Sequence, residues 1–129
     1  MNFLELRSSQ NIHTRIRATW IENVVVEVRK RESRILSAWA VGSVARDEAF
    51  ANSDTDVLIL MNIPYRQNED DQEYYISKSI RETAKRQKPW ELLNGKASLL
   101  DIMAYTAQGR YFFPQEYWQK FQKEKILVK

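Results

Sequence analysis

The sequence predicts an α+β domain, α/β-like in build, with a small mixed β-sheet flanked by helices. Three observations predict it. Three short apolar runs, at 35–41, 56–61 and 96–105, have strand length and are bounded by turn residues. Apolar residues four apart from Ile12 onward mark a long amphipathic helix. A second helical stretch separates the second and third runs, so the order is helix, strand, loop, strand, helix, strand, short helix.

The totals agree with a single domain over residues 1–129, because 129 residues with 43% apolar content suffice to bury a core. The absence of cysteine removes disulfides, thiolate nucleophiles and cysteine-ligated zinc. The start, Met1 to Arg7, lacks the basic and apolar regions of a secretory signal. No apolar run approaches the ~20 residues of a membrane span, so a soluble, cytoplasmic protein with no membrane partner is expected. A net charge of +3 suits an anionic ligand without singling out nucleic acid.

In chain order, residues 2–10 carry no firm period. From Ile12 to Arg34, Ile12, Ile16, Trp20, Val24 and Val28 form a stripe widened by Ile21 and Val25. Arg15, Arg17, Glu22, Glu27, Arg29 and Arg31 are expected outside, and Ser8, Ser9 or Asn11 caps the start. Ile35 to Val41 is a strand ending at Gly42, and Val44 to Phe50 has room for one or two helical turns. Asn52 to Asp54 is a turn cluster. The strand from Asp56 to Met61 is apolar on both alternating sets, hence interior and covered on both faces. A helix is expected from about Asp70 to Gln87, with Tyr74, Ile76, Ile80 and Ala84 inward and Pro89 as its stop. The third strand spans Lys96 to Tyr105, with Asp101 in its middle. Pro114 opens a last helix, Gln115 to about Lys125, and residues 126–128 close the chain.

The chemistry concentrates between Gly42 and Asp56. Alternate residues of an extended strand share a face, which sets Asp54 and Asp56 side by side, roughly 6–7 Å apart. Two parallel carboxylates repel unless a cation lies between them. Mg²⁺ accepts one or two carboxylates and leaves its other positions to water and substrate phosphates. The Gly42-Ser43 turn offers backbone N–H groups and a hydroxyl to such phosphates, and Arg46 a clamp. The plainer alternatives are a capped turn at Asp54, a strand start at Asp56 and a strand-ending turn at Gly42. Asp56 adjoins a doubly apolar strand, however, where an unpaired carboxylate is costly. Asp101 repeats that conflict: either it joins the pair, if its strand lies alongside, or it forms a salt bridge to a helix cation.

Gly-Ser, ten residues, Asp-Thr-Asp and a later strand-borne Asp resemble the DNA polymerase β-like nucleotidyltransferase superfamily. Gly42-Ser43-Val44-Ala45-Arg46, with Ala49 and Ser53-Asp54-Thr55-Asp56, is similar to its minimal, single-domain (MNT) branch. Two positions depart from the branch: Asp47 stands where Gly is usual, and Thr55 replaces an aliphatic residue. The resemblance implies a polymerase β-like fold with two Mg²⁺ ions on Asp54, Asp56 and Asp101, the last also helping to deprotonate an acceptor hydroxyl. Gly42, Ser43, Arg46 and Ser53 would hold the triphosphate. ATP is the expected donor, and AMP is transferred as pyrophosphate leaves.

This sequence carries no further acceptor-binding domain, so the acceptor surface is expected from another chain. By resemblance that chain is a HEPN-like toxin modified on a hydroxyl, such as a tyrosine, which makes this protein an antitoxin. The alternatives are a homodimeric enzyme acting on small molecules and a non-catalytic module binding through its aromatic tail. Nucleic-acid binding through the basic run Lys78, Arg81, Lys85, Arg86 and Lys88 is the remaining alternative and is not expected. His13 is expected to be solvated. Six aromatics between Tyr111 and Phe121 either dock on the core or face a partner.

Overall fold

The computed structural model describes residues 1–62, 76, 78–94, 99–107 and 114–128. Its elements are α1 (Phe3–Arg7), α2 (Ile12–Arg31), β1 (Ile35–Val41), α3 (Gly42–Ala45), β2 (Thr55–Met61), α4 (Lys78–Lys85), a 3₁₀ turn (Trp90–Asn94), β3 (Leu100–Thr106), α5 (Gln115–Glu124) and β4 (Ile126–Leu127). The four strands form one sheet in the order β3-β2-β1-β4. β1 runs antiparallel to both β2 and β4, whereas β2 and β3 are parallel, so the sheet is mixed and β2 is interior.

Strand alternation divides β2 between two cores. Val57, Ile59 and Met61 face one side, with Ile102 and Ala104 of β3, and pack with Ala18, Ile21, Val24 and Val28 of α2. Full burial of side chains such as these contributes about 1.5–3 kcal/mol each. Leu58 faces the other side and forms a smaller cluster with Val41, Tyr105 and Phe121, flanked by Trp39, Leu60, Met103 and Trp118. Helix α5 thus covers the second face through Trp118, edge-on to Tyr105 at 4.8 Å, and through Phe121. Tyr117, one turn from Phe121, stays 48% exposed, so the described part of the aromatic segment divides between core and surface. Tyr111, Phe112 and Phe113 lie outside the described residues.

Several expectations change. Residues 2–10 contain α1, closed by a capping box in which the Asn2 side chain accepts the Glu5 N–H and the Glu5 carboxylate accepts the Asn2 N–H. Helix α2 starts where Asn11 Oδ1 accepts the His13 and Thr14 N–H groups, and it ends at Arg31, before Arg34. Ile12, the first helical residue, is 50% exposed rather than part of the buried stripe, and His13 is half-buried rather than solvated. Arg17, expected outside, is fully buried because three backbone carbonyls accept its N–H groups.

Of the helix expected over 70–87, Lys78–Lys85 is described, with Ile76 and Ala84 buried; 70–75, including Tyr74, and 77 lie outside the described residues. Arg81 is no simple surface cation, since its Nη1 donates to the Ile102 carbonyl at 2.7 Å and ties α4 to β3. The third strand begins at Leu100; residues 95–98 lie outside the described set. Pro114 is the N-cap of α5 rather than its first residue. The closing residues form β4, a short edge strand on β1.

Candidate active site

The face of β2 that α5 covers changes character along the strand. Asp56 precedes Leu58 on that face, so the strand is apolar beneath α5 and acidic where the helix ends. In the parallel register Asp56 lies directly opposite Asp101, and opposite Val41 on its other side. Directly paired residues project to the same face, and Asp101 hydrogen-bonds Asp56. Burial, followed by the charge of Asp101, pushes the Asp56 carboxyl up to about 7; Asp54 and Glu124 add in the same direction. Burial and the three neighbouring carboxylates thus all favour the protonated form of Asp56.

The turn after β1 is built against that pair. Gly42 has φ +73, a left-handed value that L side chains rarely adopt, and a Cβ there would run into Asp56 Oδ2. The backbone at Gly42 thus reaches the carboxylate with no side chain intervening. Helix α3 is a single turn, and Asp47 beyond it has φ +55. Asp and Asn tolerate this region better than most residues, which explains how Asp47 replaces the glycine usual in similar sequences. Its carboxylate accepts the Ser9 hydroxyl at 2.6 Å, and it does not line the cleft beside Gly42.

Asp54 stands at the end of a loop fastened from behind by α2. Arg17 donates Nε to the Ser53 carbonyl at 3.0 Å, Nη2 to the Ala51 carbonyl at 3.0 Å and Nη1 to the His13 carbonyl at 3.1 Å. Asn11 Nδ2 donates to the Ala49 carbonyl at 2.9 Å. Burial lowers the proton affinity of Arg17, and the Asp54 charge opposes that effect. Ser53, buried, accepts the Phe50 N–H on its hydroxyl at 2.9 Å and so closes the loop on itself.

Arg46 is turned toward acids. Its Nη1 donates to Glu124 Oε2 at 2.7 Å and its Nε to Glu48 Oε2 at 3.0 Å. The other Glu124 oxygen, Oε1, accepts the Gly42 N–H at 2.8 Å. Sequence reasoning missed Glu124. One signal was available: a carboxylate as the last residue of a helix opposes the helix dipole, and such a local mismatch calls for a partner elsewhere.

Gly42, Ser43, Arg46, Ser53, Asp54, Asp56 and Asp101 all border one cleft of about 810 Å³, within the range of small-molecule sites. Arg81 and Lys85 of α4 and Lys120 of α5 add cationic lining. Among the described residues no three acidic or histidine side chains form a ready cage for a metal ion. Mg²⁺ needs no such cage, since one or two carboxylates with water and phosphate satisfy it. Asp56 and Asp101, paired in register at the cleft with Asp54 beside them, are carboxylates of the kind and number that fit a divalent metal.

The nucleotidyltransferase domain family matches residues 21–127, which span β1 through β4 and every carboxylate of the cleft. This chain belongs to that family. The nucleotidyltransferase fold is also that of a solved structure, a candidate nucleotidyltransferase from Sulfolobus solfataricus. The two share 18% identity with a TM-score of 0.54, over 92% of this chain and 86% of the other. Comparison with curated proteins gives no match. The polymerase β-like resemblance of the Gly42-to-Asp56 stretch agrees with both findings. Among the described residues no helix is long and apolar enough to cross a membrane.

Proposed function

We propose that this nucleotidyltransferase moves AMP from ATP, with Mg²⁺, onto a hydroxyl of a second protein. The observation that carries the reading is the in-register pair Asp56 and Asp101, set against the side-chain-free backbone of Gly42. Carboxylates for a metal and a close backbone approach for phosphate thus share one cleft.

Asp54, Asp56 and Asp101 would hold the metal ions, which supply charge neutralisation of the triphosphate and of the attacking and leaving oxygens. Gly42, Ser43 and Arg46 bind the phosphates, with Ser53 shaping the loop beside them. The acceptor oxygen forms a bond to the α-phosphorus, the bond from that phosphorus to the bridging oxygen breaks, and pyrophosphate departs with the electron pair. Asp101 takes the proton of the acceptor hydroxyl. The chain's own contribution is positioning and electrostatics rather than covalent chemistry.

The cleft offers carboxylates and cations suited to a metal-bound triphosphate, and the acceptor is assigned to a second chain, a HEPN-like toxin modified on tyrosine. Incubation with labelled ATP, Mg²⁺ and the product of the adjacent gene tests this. Label on that protein, lost in Asp101→Asn, is the expected result; label on neither protein under any divalent metal refutes it.

A further inference from the structure

Glu124 reaches the cleft from α5, away from the loop and strands that carry the aspartates, and its two oxygens are both engaged. One accepts the Gly42 N–H at 2.8 Å and the other Arg46 Nη1 at 2.7 Å. Its side chain is only 10% exposed, although it lines an open cleft. A carboxylate bridging a backbone N–H and a guanidinium has the hydrogen-bonding pattern of a phosphate oxygen pair in such a setting. The groups it occupies are those assigned above to phosphate. It also lies close enough to raise the proton affinity of Asp56.

We infer that Glu124 is an internal occupant of the phosphate position, exchanged for the triphosphate when nucleotide binds. The inference rests on the proposed nucleotide site and deepens it. An anion arriving at Gly42 must take its single N–H from Glu124, and it competes with Glu124 for the Arg46 guanidinium. Two like charges cannot share the site, so the carboxylate leaves as the triphosphate enters. Glu124 is the last residue of α5, and the next residues pair with β1, so the exchange pulls on the junction of α5 and β4. Nucleotide occupancy and the seating of the C-terminal segment are thereby linked with opposite sign. The linkage is reciprocal: whatever holds α5 in place weakens nucleotide binding.

The test is equilibrium titration of the full chain with inorganic tripolyphosphate and Mg²⁺, for wild type and Glu124→Gln. Glutamine keeps an acceptor for the Gly42 N–H and removes the charge, so E124Q is expected to bind tripolyphosphate about tenfold more tightly. An unlabelled-acceptor assay is unnecessary. The chain has only three glycines, so ¹⁵N-glycine labelling gives three amide signals, assigned through Gly95→Ala and Gly109→Ala. The Gly42 signal should move on titration of wild type, and at about a tenfold lower concentration in E124Q. Equal or weaker binding by E124Q overturns the exchange while leaving the nucleotide site standing. Binding in wild type with the Gly42 signal unmoved overturns it as well. No binding by either protein, to tripolyphosphate or to ATP, overturns both the exchange and the site.

Discussion

Arg17 donates its Nε–H to the carbonyl of Ser53 at 3.0 Å, inside the protein and one residue from Asp54. With the Ala51 carbonyl also on its guanidinium, α2 grips the loop that presents the first aspartate. Arg17→Met leaves three carbonyls without this donor, and the buried one of Ser53, left dry, costs about 1–3 kcal/mol. A loss of about 2–4 kcal/mol in urea unfolding is expected. Arg17→Lys keeps the charge with fewer directed donors and should fall between the two. Its Mg²⁺ affinity, measured by calorimetry on the folded protein, should drop because Asp54 is no longer held in place.

The proton on Asp56 gives stability a pH signature. Its folded carboxyl is raised from 3.8 to about 7, so the folded chain binds this proton more tightly than the unfolded chain does. Stability from that source is complete below about pH 4 and is lost as pH rises through 7. Asp56→Asn cannot ionise. It should match wild type near pH 4 and exceed it at pH 8 by at most about 4 kcal/mol, at about 1.4 kcal/mol per pKa unit. Saturating Mg²⁺ should erase the difference, because a cation on the pair stabilises only the ionised wild type. Denaturant midpoints at the two pH values, with and without metal, check both halves.

Gly42 and Asp47 are the two residues of this stretch with left-handed φ, and substitution should be costly at the first and nearly neutral at the second. Gly42→Ala meets both the strained φ and Asp56 Oδ2, so a loss of about 1–3 kcal/mol is expected, together with loss of triphosphate binding. Asp47→Gly relieves a backbone cost of about 1 kcal/mol and forfeits one hydrogen bond of similar worth to Ser9. Its stability should stay within about 0.5 kcal/mol of wild type. Thermal melts of the two variants decide it.

The carboxylates were legible because each broke a local rule. Asp56 and Asp101 are charges set into strands whose neighbours are Val, Leu and Ile, and that conflict is visible in a one-dimensional string. Their opposition across β2 and β3 was not, since it depends on a register between strands far apart in sequence. Arg17 misled for a related reason. Its charge argued for solvent, although it lies three, four, seven and eleven residues before the buried Trp20, Ile21, Val24 and Val28, and what meets it there is a loop more than thirty residues away. Glu124 reaches a glycine 82 residues upstream, and no pattern within α5 points there. The capping box of α1 was readable from Asn2 and Glu5, yet five residues are too few to show a period. β4, at two residues, owes its existence to the open edge of β1.

Catalysis and contact make different demands on Asp101, and one substitution separates them. Asp101 is exposed at the cleft, paired in register with Asp56, and its conversion to Asn keeps shape while removing a proton acceptor. Loss of a positioned general base costs about 10²–10⁴-fold in rate. Asp101→Asn should therefore lower AMP transfer by at least about a hundredfold, with stability unchanged or improved because a repelling charge has gone. Binding to the partner protein, followed by co-elution, should persist, since the change adds no bulk and leaves the exposed Tyr117 untouched. Where the partner is a toxin, neutralisation should fall in step with transfer while co-elution holds. Neutralisation that survives the loss of transfer would instead assign the effect to contact alone, and the cleft would be an active site that the antitoxin role does not use.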